Sequence, residues 1–201
     1  PLVGKTVPDA VVQPRSEAEL VELVSWAYEQ GIPLTPRGKA SSGYGGAIPV
    51  DQGLVVDFYC MRDGLEIDED AQTVTVQPGI TWEQLDRQSE RRGLTLRLYP
   101  TSYPSSSVGG WLAQGGAGIG SYEYGYFAEN VVSARVVLPG GEVRDFAGDD
   151  LTLIADAEGI TGFISQVTLR VQPLETVAVA SLATPTADDL QKLLETLVRS
   201  E

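Results

Sequence analysis

Two long stretches of this chain carry no carboxylate. Residues 30–50 and 91–122 contain neither Asp nor Glu, although the 201-residue chain holds 28 acids against 14 Lys and Arg, for a formal charge of −14. About seven acids would be expected in stretches of that combined length. The same stretches hold Arg37, Lys39, Arg91, Arg92 and Arg97, and twelve of the 22 glycines. Each takes in a glycine-rich loop, and in so acidic a chain these are where a negatively charged ligand can approach, plain surface loops being the alternative.

The segments around them alternate strand and helix. Ala10 to Val12 predicts a short strand. Ser16 with Glu19 predicts a capping box opening a helix that Gly31 stops. Ile32 to Thr35 and Leu54 to Phe58 read as buried strands flanking the first glycine loop, Pro36 to Pro49. Thr73 to Val76 reads as a strand, and Thr81 with Gln84 as a second capping box whose helix ends at Gly93. The second loop runs from Tyr99 to Gly125. Val131 to Leu138 and Glu142 to Phe146 predict a hairpin, and Phe163 to Val171 a last strand closed by Pro173. Val177 to Ala183 then reads as a strand and Thr186 to Val198 as an amphipathic helix. These patterns divide the chain into a first lobe at 1–62, a second at 63–174, and the opening of a further domain at 175–201.

Composition removes several classes of function. The pI near 4.3 disfavours nucleic acid and anionic membrane as partners. There is no histidine and one cysteine, which removes the commonest general base and the ligand sets of structural zinc and iron–sulfur sites. No metal site is expected. No window approaches 18 uninterrupted apolar residues, so no membrane span is expected. Residues 1–5 lack the basic and apolar regions of a secretory signal. With a single cysteine, the expected compartment is the cytoplasm.

Gly38, Gly43, Gly45 and Gly46 surround Ser41 and Ser42 directly after a strand. Small residues let backbone N–H groups converge on phosphate oxygens, and hydroxyls or a cation complete such a nest. Gly109, Gly110, Gly115, Gly116, Gly118 and Gly120 offer a second surface of this kind. Better-known phosphate motifs do not apply. Gly4-Lys5-Thr6 has no strand or earlier glycine before it, and Gly116, Gly118 and Gly120 lack the Rossmann spacing.

Four blocks carry a family resemblance over Asp9 to Pro173. They are Pro8-Asp9-Ala10-Val11-Val12 with Pro14 and Ser16-Glu17; Pro36-Arg37-Gly38-Lys39-Ala40-Ser41-Ser42-Gly43-Tyr44-Gly45-Gly46; Pro100 with Ser107-Val108-Gly109-Gly110 and Tyr124-Gly125; and Glu158-Gly159-Ile160-Thr161-Gly162-Phe163-Ile164. In order and spacing they resemble the PCMH-type FAD-binding domain of the vanillyl-alcohol oxidase and p-cresol methylhydroxylase flavoproteins. The nearest likeness is to the glycolate oxidase flavoprotein subunit and D-lactate dehydrogenase branch. Lys39 and Ala40 stand where that pattern prefers small residues, Gly115-Gly116 where Asn-Ala is common, and Ile160-Thr161 in place of Thr-Leu.

The resemblance implies a two-lobed α+β domain with FAD extended in the cleft between the lobes. By position, the backbone of Arg37, Gly38, Lys39, Ala40, Ser41 and Ser42 would hold the pyrophosphate. Pro100, Thr101, Ser107, Gly109, Gly110 and Ala113 would line the ribityl chain and one side of the flavin, and Gly159 and Ile164 would present backbone groups to it. Without histidine, and with Cys60 outside the loops, the flavin is expected to be non-covalent. Six tyrosines (Tyr44, Tyr99, Tyr103, Tyr122, Tyr124 and Tyr126) lie in or beside the loops, where packing or a wall for the cofactor are the alternatives. Arg97 and Arg135 read as strand-surface ion-pair partners rather than substrate anchors.

The implied activity is that of an FAD-dependent oxidoreductase acting on a 2-hydroxy acid or alcohol, with electrons passing to an acceptor protein or subunit. Catalytic residues are expected largely in the C-terminal domain, leaving these residues incomplete for turnover. The alternatives are the FAD domain of a reductase or of a molybdenum-hydroxylase flavin subunit, or a non-catalytic flavin-binding module.

Overall fold

The computed structural model describes residues 6–176 and 180–199. The chain opens with β1 (Ala10–Val12), α1 (Glu17–Gln30), β2 (Leu34–Arg37) and β3 (Leu54–Asp57). The three strands form a parallel sheet in the order β1-β3-β2, with Val55 opposite both Val11 and Thr35. The Ser16 hydroxyl caps α1 by accepting from Glu19 N at 3.2 Å. The expected reciprocal bond is displaced by one residue, since the Glu19 carboxylate accepts from Arg15 N at 2.8 Å. Strand β2 also begins two residues later than the apolar run suggests. Ile32 N still bonds to Ala27 O, finishing the helix, and Pro33 has no N–H to give.

The rest of the chain builds on antiparallel strands: β4 (Leu65–Asp68), β5 (Thr73–Val76), β6 (Leu94–Leu96), β7 (Tyr99–Pro100), β8 (Gly118–Ile119), β9 (Val131–Val137), β10 (Val143–Ala147) and β11 (Phe163–Pro173). The main sheet runs β10-β9-β11-β5-β4, with β6 on the far end of β11 and β7 paired separately with β8. Alternation sets its two faces: Val74 and Val76 are buried, while Thr75 bonds across the strands to Thr168 at 2.8 Å. Helix α2 (Trp82–Glu90) begins with a complete capping box at Thr81 and Gln84, as expected. Its Trp82 meets Trp111 and Phe127 edge-on at 5.3 and 5.2 Å, and these rings centre the larger core.

The segment 99–125 is not a continuous loop. It contains α3 (Val108–Gln114) and α4 (Ser121–Tyr124) besides β7 and β8. Gly109 and Gly110 disfavour a helix locally, and the surroundings supply what propensity does not. Val108 N and Gly109 N donate to Ile80 O and Pro78 O at one end of α3, while Asp156 N and Glu158 N donate to Leu112 O and Ala113 O at the other.

Helix α1 joins the two sheets. Its Leu20 and Val24 pack with Val56 of β3, with Phe58 and Met61 just after it, and with Val137 of β9. Ser165 Oγ donates to Glu17 Oε2 at 2.6 Å, and Ser25 Oγ to Gly140 O at 3.2 Å. In the tail, α5 (Ala187–Val198) is capped by Thr186 as expected. Of the strand expected over 177–183, residues 177–179 lie outside the described residues and 180–183 adopt no strand. The mixed α and β architecture anticipated from the sequence is present. Among the described residues no helix is long and apolar enough to cross a membrane.

Candidate functional site

The two glycine loops meet at one seam. Gly38, just past β2, lies so close to Ser107 that a Cβ would overlap the serine Oγ, and Gly110 Cα is 3.6 Å from the same point. At Gly110 a Cβ would stand 2.9 Å from Ser107 Oγ. A side chain at either glycine would collide with Ser107, so glycine is what lets the two loops pack this closely at the edge of the cleft. Ser107 is 2% exposed, and its hydroxyl has no hydrogen-bond partner among the described residues. A buried unpaired hydroxyl costs about 1–3 kcal/mol, and a ligand oxygen reaching the seam would remove that cost.

Around the seam lies a cleft of about 890 Å³, counting the open space at its mouth. One wall is the first loop, from Gly38 to Ser42 with Gly46 and Ala47; the opposite wall is α3 with Ser102, Ser106 and Ser107. The third side is the 158–164 segment. Gly159, at φ +78°, approaches Pro36, where a Cβ would lie 3.0 Å from Pro36 Cγ. Phe58, Pro78, Trp111 and Ile164 give the cleft apolar surface, while Lys39 and Glu158 are its charged residues.

Eleven of the fourteen expected site residues therefore come together: Gly38, Lys39, Ala40, Ser41, Ser42, Ser107, Gly109, Gly110, Ala113, Gly159 and Ile164. Arg37, Pro100 and Thr101 do not line the cleft. Arg37 lines a separate depression with Asp57 and Pro49; Pro100 is buried in its pairing with Gly118; Thr101 is exposed in the following turn. The N–H of Gly109 is taken by Pro78 O at 2.9 Å. Sequence reasoning missed Phe58, Pro78 and Trp111, which look like ordinary core or turn residues, and Glu158, an acid beyond both acid-free stretches. A Cβ at Gly46 would be 3.0 Å from Glu158 Oε2, so this carboxylate stands beside the first loop.

None of the six loop tyrosines lines the cleft. Tyr99 and Tyr103 donate to the buried Asp86, Tyr124 lies under the Arg97 guanidinium at 5.5 Å, and Tyr44, Tyr122 and Tyr126 are exposed. Burial first, then the hydrogen bond to Asp86 and its charge, push the Tyr103 phenol up to about 12. Burial chiefly raises Tyr99 as well. Arg135 holds Asp145 with two bonds, at 2.8 and 3.2 Å, as expected of a strand-surface pair. That guanidinium keeps the Asp145 carboxyl below its ordinary range. Lys39 and Arg62 have no ion-pair partner among the described residues; they flank the Tyr59 ring at 4.8 and 4.1 Å and leave positive charge beside the first loop.

The chain is similar to flavoproteins along most of its length. It is 33% identical over 178 residues to glycolate oxidase subunit GlcD of Bacillus subtilis, covering 84% of this chain and 38% of that protein. It is 35% identical over 193 residues to the mitochondrial D-lactate dehydrogenase [cytochrome] of Arabidopsis thaliana, covering 91% and 34%. A solved alkyldihydroxyacetonephosphate synthase superposes with a TM-score of 0.78 at 31% identity, over 84% of this chain and 32% of that one. The chain thus spans about a third of the length of these relatives. The family described as FAD binding domain matches residues 8–147, which takes in both walls of the cleft. The chain belongs to the FAD binding domain family, as the PCMH-type resemblance of its sequence implied.

Proposed function

We propose that the cleft holds FAD non-covalently and that the chain is the flavin-binding part of an oxidoreductase. The observation that carries this reading is the cleft itself, where the two glycine loops meet at Gly38, Ser107 and Gly110 and the Ser107 hydroxyl is buried without a partner among the described residues. Gly38, Lys39, Ala40, Ser41 and Ser42 are assigned to the pyrophosphate, with Arg37 leading into that loop from outside the cleft. Ser107, Gly109, Gly110 and Ala113 are assigned to the ribityl chain and flavin, with Gly159 and Ile164 closing the third side. Pro100 and Thr101 then act as supports of the second wall rather than as contacts. The lobes divide near residue 62, and residues from 175 onward begin a further domain.

Bound FAD supplies a hydride acceptor. The residues of this chain bind it, exclude water along the apolar wall of Phe58, Pro78 and Trp111, and place the positive charge of Lys39 near its phosphates. The relatives named for glycolate and D-lactate support a 2-hydroxy acid as substrate, with electrons leaving to a separate acceptor. The substrate-orienting groups are assigned to the remainder of the protein. A cytoplasmic location fits the single, half-buried Cys60. Cys60 lies outside the cleft lining, its Sγ 3.8 Å from Gln13 Oε1, which supports non-covalent attachment.

Acid precipitation of the purified yellow protein, followed by chromatography of the supernatant, tests this reading. FAD in the supernatant is the expected result. Colour retained in the pellet would contradict non-covalent binding, and FMN alone would contradict a pyrophosphate site.

A further inference from the structure

The second wall of the cleft is mounted on a helix that takes no part in it. Asp86, in α2, is 7% exposed and has no cationic partner among the described residues. Its two oxygens accept from Tyr99 Oη at 3.1 Å and Tyr103 Oη at 3.0 Å. Thr95 shares the Tyr99 hydroxyl at 2.9 Å, and the two tyrosine rings meet edge-on at 5.4 Å. Neither Asp86 nor either tyrosine lines the cleft.

The same helix grips the loop from its other end. Trp82 N donates to Ser106 O at 3.1 Å, and Glu83 N to Pro104 O at 3.2 Å. Between the two grips, Tyr103 N bonds to Pro100 O, Ser106 N to Ser102 O, and Ser102 Oγ donates to Ser106 Oγ at 2.7 Å. Ser102, Ser106 and Ser107 all face the cleft.

A buried carboxylate costs free energy unless donors satisfy it, and an apolar residue in a helix already packed by Trp82 and Leu85 would often stabilise as well. Here both donors come from one short loop, and that loop carries the cleft serines. From this geometry we infer that Asp86 is a positioning residue: through Tyr103 and Tyr99 it sets where Ser102, Ser106 and Ser107 stand against the bound cofactor. The inference rests on the proposed FAD site.

The test compares FAD affinity, by flavin fluorescence titration of the apo-protein, with apo-protein stability in urea for Tyr103→Phe, Asp86→Asn and Asp86→Leu. Losing the Tyr103 hydroxyl leaves Asp86 its Tyr99 donor, so stability in urea should fall only slightly, by less than the loss in FAD affinity. The same change should weaken FAD about 5- to 10-fold, the scale of one hydrogen bond. Asp86→Leu should weaken FAD further, and Asp86→Asn, which keeps an acceptor oxygen, should recover part of the loss. Amide exchange at 102–107 in the apo-protein should speed up in Tyr103→Phe and Asp86→Leu while 36–49 is unchanged. Wild-type affinity together with unchanged exchange in Tyr103→Phe would overturn the inference. So would a loss of affinity matched by an equal loss of stability. A wild-type chain that takes up no FAD would instead contradict the proposed function, and the exchange rates would then decide the positioning role alone.

Discussion

The two walls of the cleft are built in opposite ways. The second is clamped: side-chain bonds to Asp86 and backbone bonds from Trp82 and Glu83 hold residues 99–107 to α2. The first, residues 36–49, is shaped mostly by its own backbone. No backbone hydrogen bond joins Lys39, Ala40 or Ser41 to another segment among the described residues. Gly45 sits at φ +88°, Ala40 at φ +49°, and Tyr44 is 84% exposed. A clamped wall presents a fixed surface before any ligand arrives. An unclamped one gains its order from the ligand, which lowers affinity by the cost of ordering it.

Gly110→Asp strikes the seam where the walls meet, and should have the largest effect. Its Cβ would lie 2.9 Å from Ser107 Oγ and 4.0 Å from Gly38 Cα. Its charge would stand across the seam from Gly38, at the edge of the pyrophosphate site, where two like charges ~4 Å apart repel by roughly 4 kcal/mol at an effective dielectric of 20, about three decades of affinity. Gly110 is exposed, so circular dichroism should show a folded chain. Wild-type flavin occupancy in this variant would mean that the seam is not where the phosphates lie.

Alkaline pH should loosen the clamped wall. The Tyr103 phenol is raised from 10.0 to about 12, so the bond from its neutral form to Asp86 contributes fully below pH 10 and is lost as pH rises through about 12. Tyrosinate absorbance should show an ionisation near pH 12 that is lost in Tyr103→Phe. A Tyr103 that titrates at its ordinary value would show that the clamp is not closed in solution.

Ala40→Gly probes the unclamped wall, with the smallest change. A Cβ residue in the left-handed region carries about 1–2 kcal/mol of strain, offset by ~0.4–1 kcal/mol from the freer unfolded chain that glycine brings. The urea midpoint should stay level or rise slightly. A loss above about 1 kcal/mol would show that Ala40 makes contacts its backbone angle does not suggest.

Ala40 also marks what was legible in the sequence. Its departure from the family's small-residue pattern is visible in the order of residues, but its cause, a left-handed φ, is not. Local chemistry gave the elements with local signals: the Thr81–Gln84 capping box, the 131–146 hairpin and the Thr186 cap all stand where expected. Helix α3 was invisible because its stability comes from Ile80, Pro78, Asp156 and Glu158, distant in sequence, acting against two glycines. The site followed the same rule. Absent acids and clustered glycines located both walls, whereas Phe58, Pro78 and Trp111 reach the cleft only through tertiary packing. The six tyrosines, a plausible cofactor wall by position, include the clamp instead.

Calorimetric titration of the apo-protein with FAD and, in parallel, FMN tests the two-walled cleft most directly. FMN has the flavin and ribityl chain but lacks the pyrophosphate and adenosine that the first wall is assigned to hold. FAD should bind at least about 100-fold more tightly, a difference of ~2.7 kcal/mol. Equal affinities for the two flavins would show that the glycine loop at 36–49 holds no phosphate, and would contradict the cleft as the site of FAD.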